Sequence, residues 1–192
     1  MNNVLVEPYG IDETIQSFQI DLYRELVSIW GVDIEGYGRV EKNPMNNGDE
    51  TPTYYQTSKI VIPEWFNSYK QDYEDVYYDD NKSCVFCFLK EDNDRTEDQV
   101  VFNSNVKVVF MVDLRKIYSD KKERLTSKAH KDTMEIFREF GFNKFKVTGI
   151  EQRIEKIFRE YDTSKIKFDD MHPLHCFAIT LDLQYYLTNN CI

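Results

Sequence analysis

From Cys176 to the C-terminal end, Phe177, Ile179, Leu181, Leu183, Tyr185 and Leu187 alternate with Cys176, Ala178, Thr180, Asp182, Gln184 and Tyr186. An apolar period of two sustained this long admits only a β-strand, with one set of side chains on each face. Such a strand cannot stand alone: its apolar face needs neighbouring strands at its edges and a second layer above it. The chain is therefore expected to build a sheet around its own end.

Upstream segments supply the partners. Val106, Val108, Phe110, Val112 and Leu114 fall on one face of a strand running from Val106 to Tyr118, with Gln99 to Phe102 leading into it, and Cys84 to Leu89 is a continuous apolar run. These two read as adjoining antiparallel strands, with the polar stretch Glu91 to Asp98 as a projecting hairpin end. Val32 to Lys42 reads as a further strand, in which Gly36 and Gly38 predict a bulge or a close backbone approach. A polar loop is expected at 43–53, then a strand from Tyr54 to Ile62 stopped by Pro63.

Helices come from a different period. Ile11, Ile15, Phe18, Leu22, Leu26 and Ile29 recur at steps of three and four, one stripe of a helix ending near Gly31. A second stripe of Ile20, Tyr23, Val27 and Trp30 is either deeply buried or an interface with a neighbouring subunit. Thr126 to Phe140 carries Ala129, Thr133, Ile136, Phe137 and Phe140 at helical spacing and stops at Gly141. After a short strand, Lys144 to Val147, the sequence Thr148-Gly-Ile-Glu151 has the form of a capping box and predicts a helix that buries Ile150, Ile154, Ile157 and Tyr161. The expected fold is one α+β domain over residues 1–192, a mainly antiparallel sheet packed against about three helices.

A chain of 192 residues supports one substantial core, and two full domains would each be marginal. With 34 acidic and 24 basic residues its formal charge is -10, which disfavours binding to a phosphate backbone, because that affinity comes from Lys and Arg displacing counterions. Met1 to Glu7 has no signal-peptide character, and no apolar run approaches the length that spans a bilayer, so synthesis in the cytoplasm and no membrane association are expected.

Catalytic chemistry is not evident. Cys84-Val-Phe-Cys87 has zinc-knuckle spacing, but on a strand residues three apart point to opposite faces, so buried free thiols are expected rather than a metal site. His130, His172 and His175 have no diagnostic neighbours, and there is no nucleophile elbow, phosphate-binding glycine loop or metalloprotease helix. The acidic pairs Asp79-Asp80 and Asp169-Asp170 could serve a metal-dependent hydrolase, the least favoured reading. No catalytic residue, cofactor or metal is assigned.

Two segments point to surfaces instead. Residues 64–80 interleave the aromatics Trp65, Phe66, Tyr69, Tyr73, Tyr77 and Tyr78 with Asp72, Glu74, Asp75, Asp79 and Asp80, and the spacing 65, 69, 73, 76 suits a short helix that is a lid on the sheet or a docking surface. Residues 116–131 concentrate Lys116, Lys121, Lys122, Arg124, Lys128, His130 and Lys131. The basic segment of one copy meeting the acidic segment of the next would be a head-to-tail contact that closes into a ring if its rotation permits.

The order of elements resembles small α+β proteins that form rings at the head-to-tail junction of tailed bacteriophages. Val106-Lys-Val-Val-Phe-Met-Val-Asp-Leu, Ile154-Glu-Lys-Ile-Phe-Arg-Glu-Tyr and His175-Cys-Phe-Ala-Ile-Thr-Leu-Asp-Leu-Gln-Tyr-Tyr-Leu are similar to neck and tail proteins of crAss-like phages, over residues 106–192. The resemblance implies a tail-terminator-like or tail-completion-like fold in a virion protein, with copies of itself in a ring and other neck or tail proteins as partners. It also implies DNA passing through without sequence-specific binding, and no catalytic residues. From the helix stripe and the two surface segments themselves, rather than from the resemblance, Tyr23, Val27, Trp30, Trp65, Phe66, Tyr69, Tyr73, Lys121, Lys122 and Arg124 are interface candidates, and the acids at 72, 74, 75, 79 and 80 are candidates for the channel wall. The alternative is an acidic interaction protein or DNA-mimic inhibitor.

Overall fold

A computed structural model describes residues 1–31, 33–45, 60–91, 94–96, 100–140, 145–159, 161–163 and 171–187, the side chains at 42–45 and 60–62 excepted. In chain order the elements are β1 (Asn2–Asn3), α1 (Ile11–Trp30), β2 (Ile34–Met45), β3 (Ile60–Asn67), β4 (Asp72–Asp75) and β5 (Cys84–Lys90). They continue with β6 (Arg95–Thr96), β7 (Val101–Asp113), α2 (Leu114–Ile117), α3 (Thr126–Glu139), β8 (Phe145–Glu151), α4 (Ile154–Ile157) and β9 (Leu174–Tyr186). The strands form one sheet in the order β4-β3-β2-β5-β7-β9-β8, with β1 beside β2 and β6 beside β7. All pairs are antiparallel except β1–β2 and β2–β5, which makes the fold α+β, as expected.

The terminal strand is the axis of this sheet. β9 pairs with β7 without a break from Val101↔Tyr186 to Asp113↔Leu174, and with β8 on its other side. Its alternation separates two cores. Phe177, Ile179, Leu181, Leu183 and Tyr185 join Phe86, Phe88, Val108 and Phe110 under α1 and α3. Cys176 and Ala178 join Val85, Cys87, Val109 and Met111 on the opposite face, beneath the segment 76–78 and α4. Because both faces are covered, β5 loses the usual polar alternation and reads as an unbroken apolar run.

Phe18 of α1 joins the helices to the sheet. Its ring meets Phe88, Phe137 and Phe140 edge-on at 5.8, 5.1 and 5.4 Å, and lies 4.9 Å from Phe145. Each such pair adds about 0.5–1.5 kcal/mol beyond the area it buries. The apolar stripe of α1 holds from Ile11 to Leu26 but finishes on buried Trp30, leaving Ile29 exposed. The second stripe is therefore not an outward face: Trp30 is core, Tyr23 and Val27 lean half-buried against that core, and only Ile20 is turned to the surface.

Further expectations are corrected, among them the strand expected to reach Tyr118, which ends at Asp113 where α2 begins. β2 continues to Met45, so the loop expected at 43–53 begins as strand, and its remainder lies outside the described residues. Pro63 does not stop a strand: β3 starts at Ile60 and runs through it to Asn67, while 54–59 lie outside the described residues. A proline is tolerated there because β4's ladder ends one residue away, and the Pro63 carbonyl still accepts from Val76 at 2.9 Å.

The apparent capping box is strand. β8 runs through it to Glu151, with a register shift between Val147 and Gly149, and the Thr148 hydroxyl donates to the Thr180 carbonyl at 3.1 Å. Glu151 Oε1 instead accepts the Gln152 and Arg153 amides, both at 3.1 Å, ahead of the short α4, and Ile150 is exposed. Residues 64–80, finally, form the β3–β4 hairpin and a strap across the second core rather than a helix.

Gly36 is where backbone and core approach most closely. A β-carbon there would lie 2.5 Å from Phe86 Cζ, and that fully buried ring is hemmed in by Phe88 and Phe110. Gly36→Ala should destabilise the protein by about 1–3 kcal/mol, read as a lowered urea midpoint at unchanged slope.

Candidate interaction surfaces

The β3–β4 hairpin has two unlike faces. Trp65 and Glu74 oppose each other on one of them, and Trp65 turns inward, 2% exposed, onto Tyr37 and the second core. Phe66 and Tyr73 oppose each other on the other face, rings 5.2 Å apart and edge-on, with Phe66 half-buried and Tyr73 46% exposed. The turn between the strands is shaped by Asn67, whose Oδ1 accepts the Tyr69 and Lys70 amides at 3.0 and 3.2 Å, and by Gln71 at φ 56°. This holds Tyr69 outward at 82% exposure.

The acids of this segment do different work. Glu74 accepts from Lys70 and from Asn67, and these two bonds hold its carboxyl below the usual range. Asp79 Oδ1 accepts the Asn81 amide and side chain at 2.8 and 2.9 Å, shaping a turn. Asp72 and Asp75 are exposed on β4, at the border of the sheet.

Residues 116–131 divide in the same way. Lys116 Nζ donates to the carbonyls of Asp80 and Lys82, so a contact between the basic and acidic segments exists within the chain. Lys128 bonds Asp132 at 2.9 Å and lies 4.2 Å over the Tyr118 ring, and Lys131 pairs with Glu135. Lys121, Lys122 and Arg124 are exposed in the loop before α3.

Asp132 is the polar centre of the first core's rim. Its Oδ2 accepts from Trp30 Nε1 at 3.2 Å, from the Tyr118 hydroxyl at 2.6 Å and from Lys128, so one carboxylate joins the C-terminal end of α1, the loop after α2, and α3. Burial pushes the Asp132 carboxyl up, but its three donors outweigh burial and hold it below the ordinary value of 3.8. A carboxyl depressed in the folded state adds stability that is present above the unfolded pKa and lost as pH falls through the folded one. Asp132→Asn should therefore cost about 1–3 kcal/mol near pH 7, and the gap from wild type should shrink at about pH 3, in urea titrations at both.

The histidines are closer than their spacing in the sequence suggests. His130 on α3 and His175 on β9 place their Nε2 atoms 2.9 Å apart, and both rings lie against Phe177. One ring must donate and the other accept, so at least one of them is neutral in this arrangement. No signal in the sequence joins positions 45 residues apart.

Cys84 and Cys87 enter opposite cores, as strand geometry requires, and burial pushes the Cys84 thiol up and Cys87 to about 12, far from the thiolate that a metal or a nucleophile needs. Among the described residues no three His, Cys, Asp or Glu side chains gather as metal ligands. The pair Asp169-Asp170 lies outside the described residues.

A cleft of about 440 Å³ opens where β5 stops short of its neighbours, between β2 and the β7–β9 ribbon, beside the start of α1. Its charges are matched internally: Arg39 forks onto Asp12 at 2.6 and 2.8 Å and pairs with Glu41 at 2.7 Å, and Lys90 pairs with Asp94 at 3.0 Å. Burial and the nearby Asp94 raise the Tyr185 hydroxyl in its wall to about 12. This is a braced polar seam. The chain matches no protein-family model, no curated protein and no solved structure.

Proposed function

We propose that this chain is a structural subunit of a tailed-phage particle, assembling with copies of itself into a ring around the DNA channel at the head-to-tail junction or upper tail, without catalysis. The observation that carries the reading is the order of the folded elements: α1, a set of mainly antiparallel strands, α3, the short β8, the small α4, and the long β9 returning to pair between β7 and β8. That is the order on which the likeness to ring-forming neck and tail proteins rests.

The chemistry is compatible. Cys84, Cys87 and Asp132 are engaged in packing or bracing, whereas aromatics and charges meet solvent on the β3–β4 hairpin and in the loop before α3. A net charge of -10 suits a wall past which DNA slides without being held.

Light scattering over a concentration series, with negative-stain imaging of large species, tests the proposal. The expected result is one multiple of the 23.0 kDa subunit that appears as a ring with a central hole. A monomer at every concentration that captures a basic partner, and releases it at high salt, would replace the ring with the acidic-inhibitor reading.

A further inference from the structure

We infer that His130 and His175 form a proton-controlled latch between α3 and the terminal strand, closed while a single proton lies between their Nε2 atoms and opened when both rings are charged. The inference stands apart from the ring reading and holds equally for a monomer. The two Nε2 atoms lie 2.9 Å apart with the ring centroids at 5.1 Å, so the rings meet edge to edge with these nitrogens foremost. Rings facing each other across a metal ion would hold their nitrogens about 4 Å apart, two bonds of about 2.0–2.1 Å, so the observed spacing is that of a shared proton.

The pair has two bonded forms and one that cannot bond. With both rings neutral, one Nε2–H donates to the other's bare Nε2; with one ring charged, the same bond is charge-assisted and stronger. With both charged, two N–H groups and two positive charges face each other, whatever the Nδ1 atoms meet. His175 is fully buried, and Phe177 lies against both rings, at 4.5 Å from His130 and 5.3 Å from His175, so the second charge is relieved only when α3 moves off β9. His130 is half-buried and is the side from which protons reach the pair.

Carboxylates on the surrounding elements have other partners. On α3, Asp132 takes its three donors, Lys128 among them, Glu135 pairs with Lys131, and Arg138 and Glu139 are at the far end of the helix. On β7, Asp113 Oδ1 accepts the Arg115 and Lys116 amides, and Lys107 pairs with Glu91; farther along β9, Asp182 pairs with Arg95. The charges of α2 are the cations Arg115 and Lys116, the last turn of α1 carries none, and the turn before β9 adds His172, a further titrating ring. In the unfolded chain both imidazoles take a proton below about 6.5, whereas the closed latch admits one at most. The unfolded state therefore binds more protons, and stability present at pH 7.5 is lost as pH falls from about 6.5 to about 5, above the range in which ordinary carboxyls titrate.

Urea titrations of wild type and His130→Gln across this window, with 15N spectra of the histidine-labelled wild-type chain, test the latch. The wild-type ratio of folded to unfolded chain should fall about tenfold for each pH unit. His130→Gln should lose that slope, because a glutamine amide donates to a neutral His175 and accepts from a charged one. At pH 7.5 the spectra should show one of the two Nε2 atoms protonated and the other bare. Two rings that each take up a proton near pH 6.5 with no loss of stability, or a slope that His130→Gln leaves unchanged, would overturn the latch. Should the variant fail to fold, the wild-type spectra and slope decide.

Discussion

The ladder between β7 and β9 is the constraint from which the rest of the molecule follows. Thirteen residues of each strand pair without a bulge, and within the ladder Phe110 stacks on Phe177 at 5.0 Å. A slip of one residue would turn every side chain of β9 to the wrong face and exchange the two cores. With register pinned, β5 and β8 take their places on either side of the pair, and α1 and α3 have a single apolar surface to cover.

Covering both faces has consequences for where chemistry can reside. The cysteines of the central strands and His175 are enclosed, and Asp132 is drawn into bracing α1 against α3. Among the described residues, the surfaces open to other molecules include two at the margins, a hairpin added beyond β2 and a loop between α2 and α3. The hairpin is amphipathic in an unusual sense, since both faces are aromatic, but one is used by the chain itself and the other is presented outward.

Legibility followed the strength of the local period. β9, β5, the main run of β7, α1 and α3 were all readable, because unbroken periods of two or near 3.6 leave little choice of conformation. Errors arose where short signals competed. Thr148 and Glu151 have capping-box spacing, yet pairing with β9 keeps the segment extended, and a local motif worth about one hydrogen bond does not override a ladder. The aromatic spacing at 65, 69, 73 and 76 imitates a helix, but antiparallel pairing of Trp65 and Phe66 with Glu74 and Tyr73 uses the same residues as strands.

The surface candidates divided for a related reason. Tyr69, Tyr73, Lys121, Lys122 and Arg124 are at the surface, whereas Trp30 and Trp65 are spent on the cores, and composition cannot tell these uses of an aromatic apart. By itself the sequence determined the α+β class, the long terminal strand, the principal helices and the opposition of Cys84 to Cys87, all of which depend on neighbours close in the chain. Only the tertiary structure decided the insertion of β9 between β7 and β8, the meeting of His130 with His175, the three donors on Asp132 and the outward face of the hairpin. These depend on which distant segments share a surface, and local periodicity carries no record of that.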